Sequence, residues 1–125
     1  MVVHGEPGMD ELSPMAPTRV AEIRGGKVTE WTLDPRDFGL PIATAESLAG
    51  GEPAENARRV VDTLEGKERG APRHAVVLNA AAAIYVAGLT PDLASGIKRA
   101  EESIDKGKAA ESLRGLARAA RPRAS

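Results

Sequence analysis

Thr18-Arg19-Val20-Ala21-Glu22-Ile23-Arg24-Gly25-Gly26-Lys27-Val28-Thr29-Glu30-Trp31-Thr32-Leu33 reads as a β-hairpin, and the rest of the fold is read outward from it. Gly25-Gly26 supplies a two-residue turn that accepts positive φ at both positions. Such a turn sets Ile23 opposite Val28 and Val20 opposite Trp31. Apolar side chains then meet across the strands, as a half-buried hairpin requires. Asp34-Pro35 ends the second strand, because proline offers no N–H to the ladder.

Upstream, Met1-Val2-Val3-His4 is an apolar run that stops at Gly5 and reads as a buried strand. A buried strand wants neighbours on both sides. The hairpin can serve as one of them in a small sheet, and Met1 to Val3 would still want another. An exposed edge there would invite association. Gly5 to Pro17 is rich in proline, glycine and acids, which is loop chemistry.

Downstream the chain is helical. Pro53 suits a first helical position, and Ala57, Val60, Val61 and Leu64 recur at helical spacing up to a stop at Gly66. A second helix is predicted from about Ala75 to Ala87, ending at Gly88. A third is predicted to start at Thr90-Pro91, with Thr90 as hydroxyl cap and Leu93, Ile97, Ala100 and Ile104 as its apolar stripe. Gly107 separates it from a last amphipathic helix, about Lys108 to Ala120. The predicted division is a strand and acidic loop over 1–17, a hairpin over 18–34 and a helical part over 43–120. The fold class is α/β: one strand and a hairpin followed by about four helices. This order suits the end of a larger α/β domain better than a closed one.

Composition narrows function. Hydrophobic residues make up 42% of the chain and aromatics 2%. Few aromatic platforms means little base stacking. The formal net charge of −1 gives no electrostatic footprint for nucleic acid or for an anionic membrane. Only Arg114 to Arg123 is locally basic, and a short basic tail reads as a solvated end. There is no cysteine, so disulfides, thiolate metal sites and thiol catalysis are excluded, and a cytoplasmic location is expected. The longest apolar run, Ala75 to Ala87, is too short to span a bilayer.

Chemistry is concentrated in Gly8-Met9-Asp10-Glu11, where two adjacent carboxylates follow the end of a strand. Mg²⁺ takes oxygen ligands, keeps several waters, and is commonly held by one or two carboxylates plus substrate phosphate. An acid pair in a loop is more commonly a solvated surface, so the pair alone does not decide. His4 could line a site beside it, although a strand histidine is usually packed or hydrogen-bonded. Ser13 could meet phosphate, although loop serines usually serve backbone groups. His74 reads as a surface residue opening a helix. Asn79, inside an apolar helix, reads as satisfying a buried backbone group rather than binding substrate.

Val2-Val3-His4-Gly5, Gly8-Met9-Asp10-Glu11-Leu12-Ser13, Pro17-Thr18 and Val20-Ala21-Glu22 together resemble the metal-binding segment of anthranilate phosphoribosyltransferases. Asp37-Phe38-Gly39-Leu40, Pro53-Ala54-Glu55-Asn56-Ala57, Val77-Leu78-Asn79-Ala80-Ala81-Ala82 and Tyr85-Val86-Ala87-Gly88 resemble the elements that follow it, in the family's order. The resemblance covers Val2 to about Leu116 and corresponds to the C-terminal portion of the family's large α/β domain. It implies transfer of a phosphoribosyl group from phosphoribosyl pyrophosphate to anthranilate in tryptophan biosynthesis. It implies Mg²⁺ on the pyrophosphate, with the metal-holding acid pair falling on Asp10 and Glu11. It also implies a homodimer, built by an N-terminal helical domain that these residues do not include. The family's glycine-rich phosphate loop, its Lys-His-Gly-Asn segment and its anthranilate-binding arginine have no counterpart here. The isolated chain is therefore expected to be inactive. The alternatives are a segment of a related nucleoside phosphorylase, and a non-catalytic binding module derived from the family.

Overall fold

The computed structural model describes residues 1–6 and 8–120; the last two arginines of the basic stretch, Arg121 and Arg123, lie outside them. Strands β1 (Val2–Gly5), β2 (Thr18–Arg24) and β3 (Lys27–Leu33) form one antiparallel sheet in that order. The hairpin has the register its turn dictates, with Val20 opposite Trp31 and Ile23 opposite Val28. Gly25 and Gly26 have φ of 57° and 76°, as a primed two-residue turn demands. β1 lies on the other side of β2, with Val3 opposite Val20 and Gly5 opposite Thr18.

Alternation along β2 sorts the sheet into two faces. Thr18 and Val20 point into the core, and Leu33, opposite Thr18, joins them. The other face is open. Val2, Ile23 and Val28 are 71%, 67% and 63% exposed. The half-buried hairpin predicted from sequence is thus half-buried only at its base. The helices cover one face, and the Ile23–Val28 pair stands clear of them.

After β3, Asp34 caps a short 3₁₀ turn (Pro35–Phe38) by accepting from the Arg36 N–H at 2.9 Å. Its side chain also chelates the Arg36 guanidinium, which holds the Asp34 carboxyl down at a pKa of about 2. Helix α1 (Ala45–Leu48) is a single turn closed by a reciprocal Thr44–Ser47 capping box, and sequence periodicity is too short to announce it. Helix α2 (Pro53–Leu64) begins at the expected proline, and Gly66 lies just beyond its end.

Helix α3 (Ala71–Val86) starts four residues before the predicted Ala75. Gly70 precedes it and Pro72 sits in its first turn, a start signal that the later apolar run overshadowed. Arg73 and His74 therefore lie inside the helix. Arg73 is 6% exposed, with its guanidinium 3.0 Å from the Asp105 carboxylate. His74, expected at the surface, is half-buried, and burial followed by the neighbouring Arg73 charge pushes its imidazole below the usual 6.5.

Helix α4 (Leu93–Asp105) is capped by Asp92 and not by Thr90. The Asp92 carboxylate accepts from the Ser95 N–H at 2.7 Å. A carboxylate suits a helix N-terminus better than a hydroxyl because it also complements the helix dipole. The predicted stripe of Leu93, Ile97, Ala100 and Ile104 is buried. Gly96 on α4 meets α3 so closely that an added Cβ would lie 2.7 Å from the Ala81 carbonyl oxygen. Helix α5 (Lys108–Ala119) follows Gly107. No helix is long and apolar enough to cross a membrane among the described residues.

Candidate functional site

At the end of β1 the chain folds back on itself. The Gly5 N–H donates to the Met9 carbonyl at 2.9 Å, and the Met9 N–H donates to the Gly5 carbonyl at 2.7 Å. A side chain at Gly5 has no room: its Cβ would lie 2.7 Å from the Glu11 carbonyl oxygen and 2.8 Å from the Ser13 Cβ. Gly8 has φ of 133°, a backbone conformation that side chains rarely allow.

Asp10 and Glu11 follow this closed turn, and both are exposed. The next residue, Leu12, enters the core at 1% exposure. Its backbone is held by the Asn79 side chain from α3. The Leu12 N–H donates to Asn79 Oδ1 at 2.9 Å, and Asn79 Nδ2 donates to the Leu12 carbonyl at 2.9 Å. The predicted role of Asn79 as partner of a backbone group is what the structure shows.

Ser13 is fully buried. Its N–H donates to Thr18 Oγ1 at 3.0 Å, and its hydroxyl accepts from the Met15 N–H at 3.1 Å. The Ser13 side chain is thus engaged in shaping the loop. His4 is exposed on the outer face of β1, opposite Arg19. The cavity it lines, about 370 Å³, runs over the sheet beside Val2, Arg19 and Glu30 and does not include the acid pair.

Two carboxylates do not close a metal site. Among the described residues there is no group of three or more histidines and acids that could hold an ion. The sheet is antiparallel, so the rule that places ligands at the carboxyl ends of parallel strands does not by itself put one here. What the geometry offers is a pair of solvent-facing hard-oxygen donors between two fixed points. Such a pair suits a cation that keeps its water and shares its ligation with a phosphate.

Sequence reading missed a second polar cluster. Glu22 shares the core-facing side of β2 with Val20. The Tyr85 hydroxyl donates to Glu22 Oε1 at 2.7 Å, and Trp31 Nε1 donates to Oε2 at 3.3 Å. Arg24 lies 3.4 Å from the same carboxylate, with its guanidinium 4.9 Å above the Tyr85 ring. The hydrogen bond to Glu22, aided by burial, raises the Tyr85 pKa. The available signal was the period-two spacing, which turns an acid at position 22 inward, where it requires partners.

The fold and the loop together define a class. The chain belongs to the glycosyl transferase family, a/b domain, which it matches over residues 1–110. Within that class it is similar to anthranilate phosphoribosyltransferases. The enzyme of Rubrobacter xylanophilus is 47% identical over 97% of this chain and 35% of its own length. That of Anaeromyxobacter sp. strain K is 51% identical over 92% of this chain and 34% of its own. The crystal structure of the Thermus thermophilus enzyme superposes with a TM-score of 0.81 at 42% identity, covering 90% of this chain and 33% of that one. The Saccharomyces cerevisiae enzyme in complex with PRPP and Mg superposes at 0.78 with 32% identity, covering 90% of this chain and 32% of that one. The chain thus spans about a third of the length of the relatives it matches.

Proposed function

We propose that this chain is the metal-loop portion of an anthranilate phosphoribosyltransferase, and that Asp10 and Glu11 hold Mg²⁺ on the pyrophosphate of phosphoribosyl pyrophosphate. The observation that carries this reading is the exposed acid pair set between the Gly5–Met9 turn and the anchored Leu12. The high identity to such enzymes and the Mg-containing complex of a superposing relative support it.

In the transfer, the amine of anthranilate attacks the anomeric carbon of the ribose as pyrophosphate departs. Negative charge grows on the leaving group. When bound, Mg²⁺ neutralises that charge and orients the group. Asp10 and Glu11 would hold the cation through their carboxylates. The turn at Gly5 and the Leu12 anchor keep those carboxylates in place, so little reorganisation is needed at the moment of reaction. Groups that would grip the ribose, the remaining phosphate and anthranilate belong to the rest of such an enzyme. The absence of cysteine accords with cytoplasmic work.

The test is a titration of Mg²⁺, with and without pyrophosphate, into the wild type and into Asp10→Asn/Glu11→Gln. Pyrophosphate should tighten the binding of Mg²⁺ to the wild type and have no such effect on the double variant. Equal binding by both would refute the assignment.

A further inference from the structure

We infer that Asn79, on helix α3, is the positioning residue of the acid pair. The inference rests on the proposed role of Asp10 and Glu11 and extends it to a group that touches neither metal nor substrate.

The Asn79 amide is fully committed on the side that faces the loop. Its oxygen accepts from the Leu12 N–H, and its nitrogen donates both to the Leu12 carbonyl and to the Ala75 carbonyl one turn back on α3 at 3.0 Å. The bond to Ala75 fixes the rotamer, so the amide presents one edge to Leu12. A primary amide is the side chain that can offer a donor and an acceptor side by side, as a neighbouring strand would. The partner lies 67 residues away in sequence, so this contact ties the loop to the helical layer. The Leu12 side chain is buried at the same point, which makes the anchor both polar and apolar.

The other end of the acid pair is equally constrained. Met9 is bonded in both directions to Gly5 at the end of β1. Asp10 and Glu11 are therefore the whole span between two fixed residues. Releasing Leu12 would free the C-terminal end of that span and let the carboxylates spread over many arrangements. Groups that orient ligands from outside the first layer commonly change metal affinity by about 10-fold to 100-fold when lost.

The experiment uses Mn²⁺ with inorganic pyrophosphate as the probe, followed by water-proton relaxation, on the full chain. Asn79→Ala removes the amide and favours the helix. Asn79→Asp keeps the acceptor and replaces the donor by a charge facing the Leu12 carbonyl. Helix content and thermal midpoint are recorded for each, together with hydrogen exchange of the Leu12 amide. The expected result is a loss of Mn²⁺ affinity of about 10-fold in both variants, with faster Leu12 exchange and retained helix content. Wild-type affinity in a folded Asn79 variant would overturn the inference and leave the metal assignment standing. Mn²⁺ binding that survives Asp10→Asn/Glu11→Gln would remove the metal assignment itself and the inference with it. If one Asn79 variant does not fold, the other decides.

Discussion

Gly5 carries a side-chain-free corner on which the acidic loop closes. Because the clash of an added Cβ is with the Glu11 carbonyl, which is backbone, it cannot be relieved by a rotamer change. Gly5→Ala should cost about 1–3 kcal/mol, seen as a lower urea midpoint, and should weaken Mg²⁺–pyrophosphate binding as well. His74 provides a pH test. Its folded pKa is depressed, so the native state binds fewer protons than the unfolded state below the ordinary 6.5. Its contribution is complete above that value and is lost as the pH falls toward the depressed one. The urea midpoint should therefore decline as the pH falls below the ordinary 6.5, and His74→Gln should flatten that decline. Residue chemistry was legible where it was local. Asn79 was readable as a polar group needing a backbone partner, but the partner's identity was not, because Leu12 is brought to it only by the tertiary fold. The burial of Arg73 was illegible for the same reason: the Asp105 that shelters it lies on another helix.

Among the elements, the α3–α4 pair sets the depth of the core. Gly96 lets the Ala81 backbone approach, and any side chain there must push the helices apart. Alanine is the better helix former by about 1 kcal/mol, yet overpacking against a carbonyl outweighs this. Gly96→Ala should be net destabilising by about 1 kcal/mol or more in chemical unfolding. Asp92→Ala should cost about 1 kcal/mol by freeing the first turn of α4, whereas Thr90→Ala should leave that turn capped. Elements with strong local grammar were readable to the residue. The Gly25-Gly26 turn specified the hairpin register, and Pro53 specified the start of α2. Boundaries failed where two signals competed, as at Gly70-Ala71-Pro72 against the later alanine run, and at Thr90 against Asp92.

At the scale of the whole molecule, the described residues cover the sheet on one face only. Val2, Ile23 and Val28 form an open apolar strip, and a net charge of −1 supplies little repulsion between copies. Ile23→Thr/Val28→Thr keeps β-branched side chains in the strands while removing apolar surface. It should lower the weight-average mass seen by sedimentation at a given concentration.

The Glu22 cluster has an optical consequence. Trp31 and Tyr85 are the chain's only tryptophan and only tyrosine, and they hydrogen-bond to opposite oxygens of one carboxylate. One ring rides on the hairpin and the other on α3. Excitation of the phenol therefore passes to the indole most efficiently while the hairpin and helix stay docked. The molecule carries its own fluorescent ruler between hairpin and helix, and the emission ratio of two native side chains reports how closely the two are held.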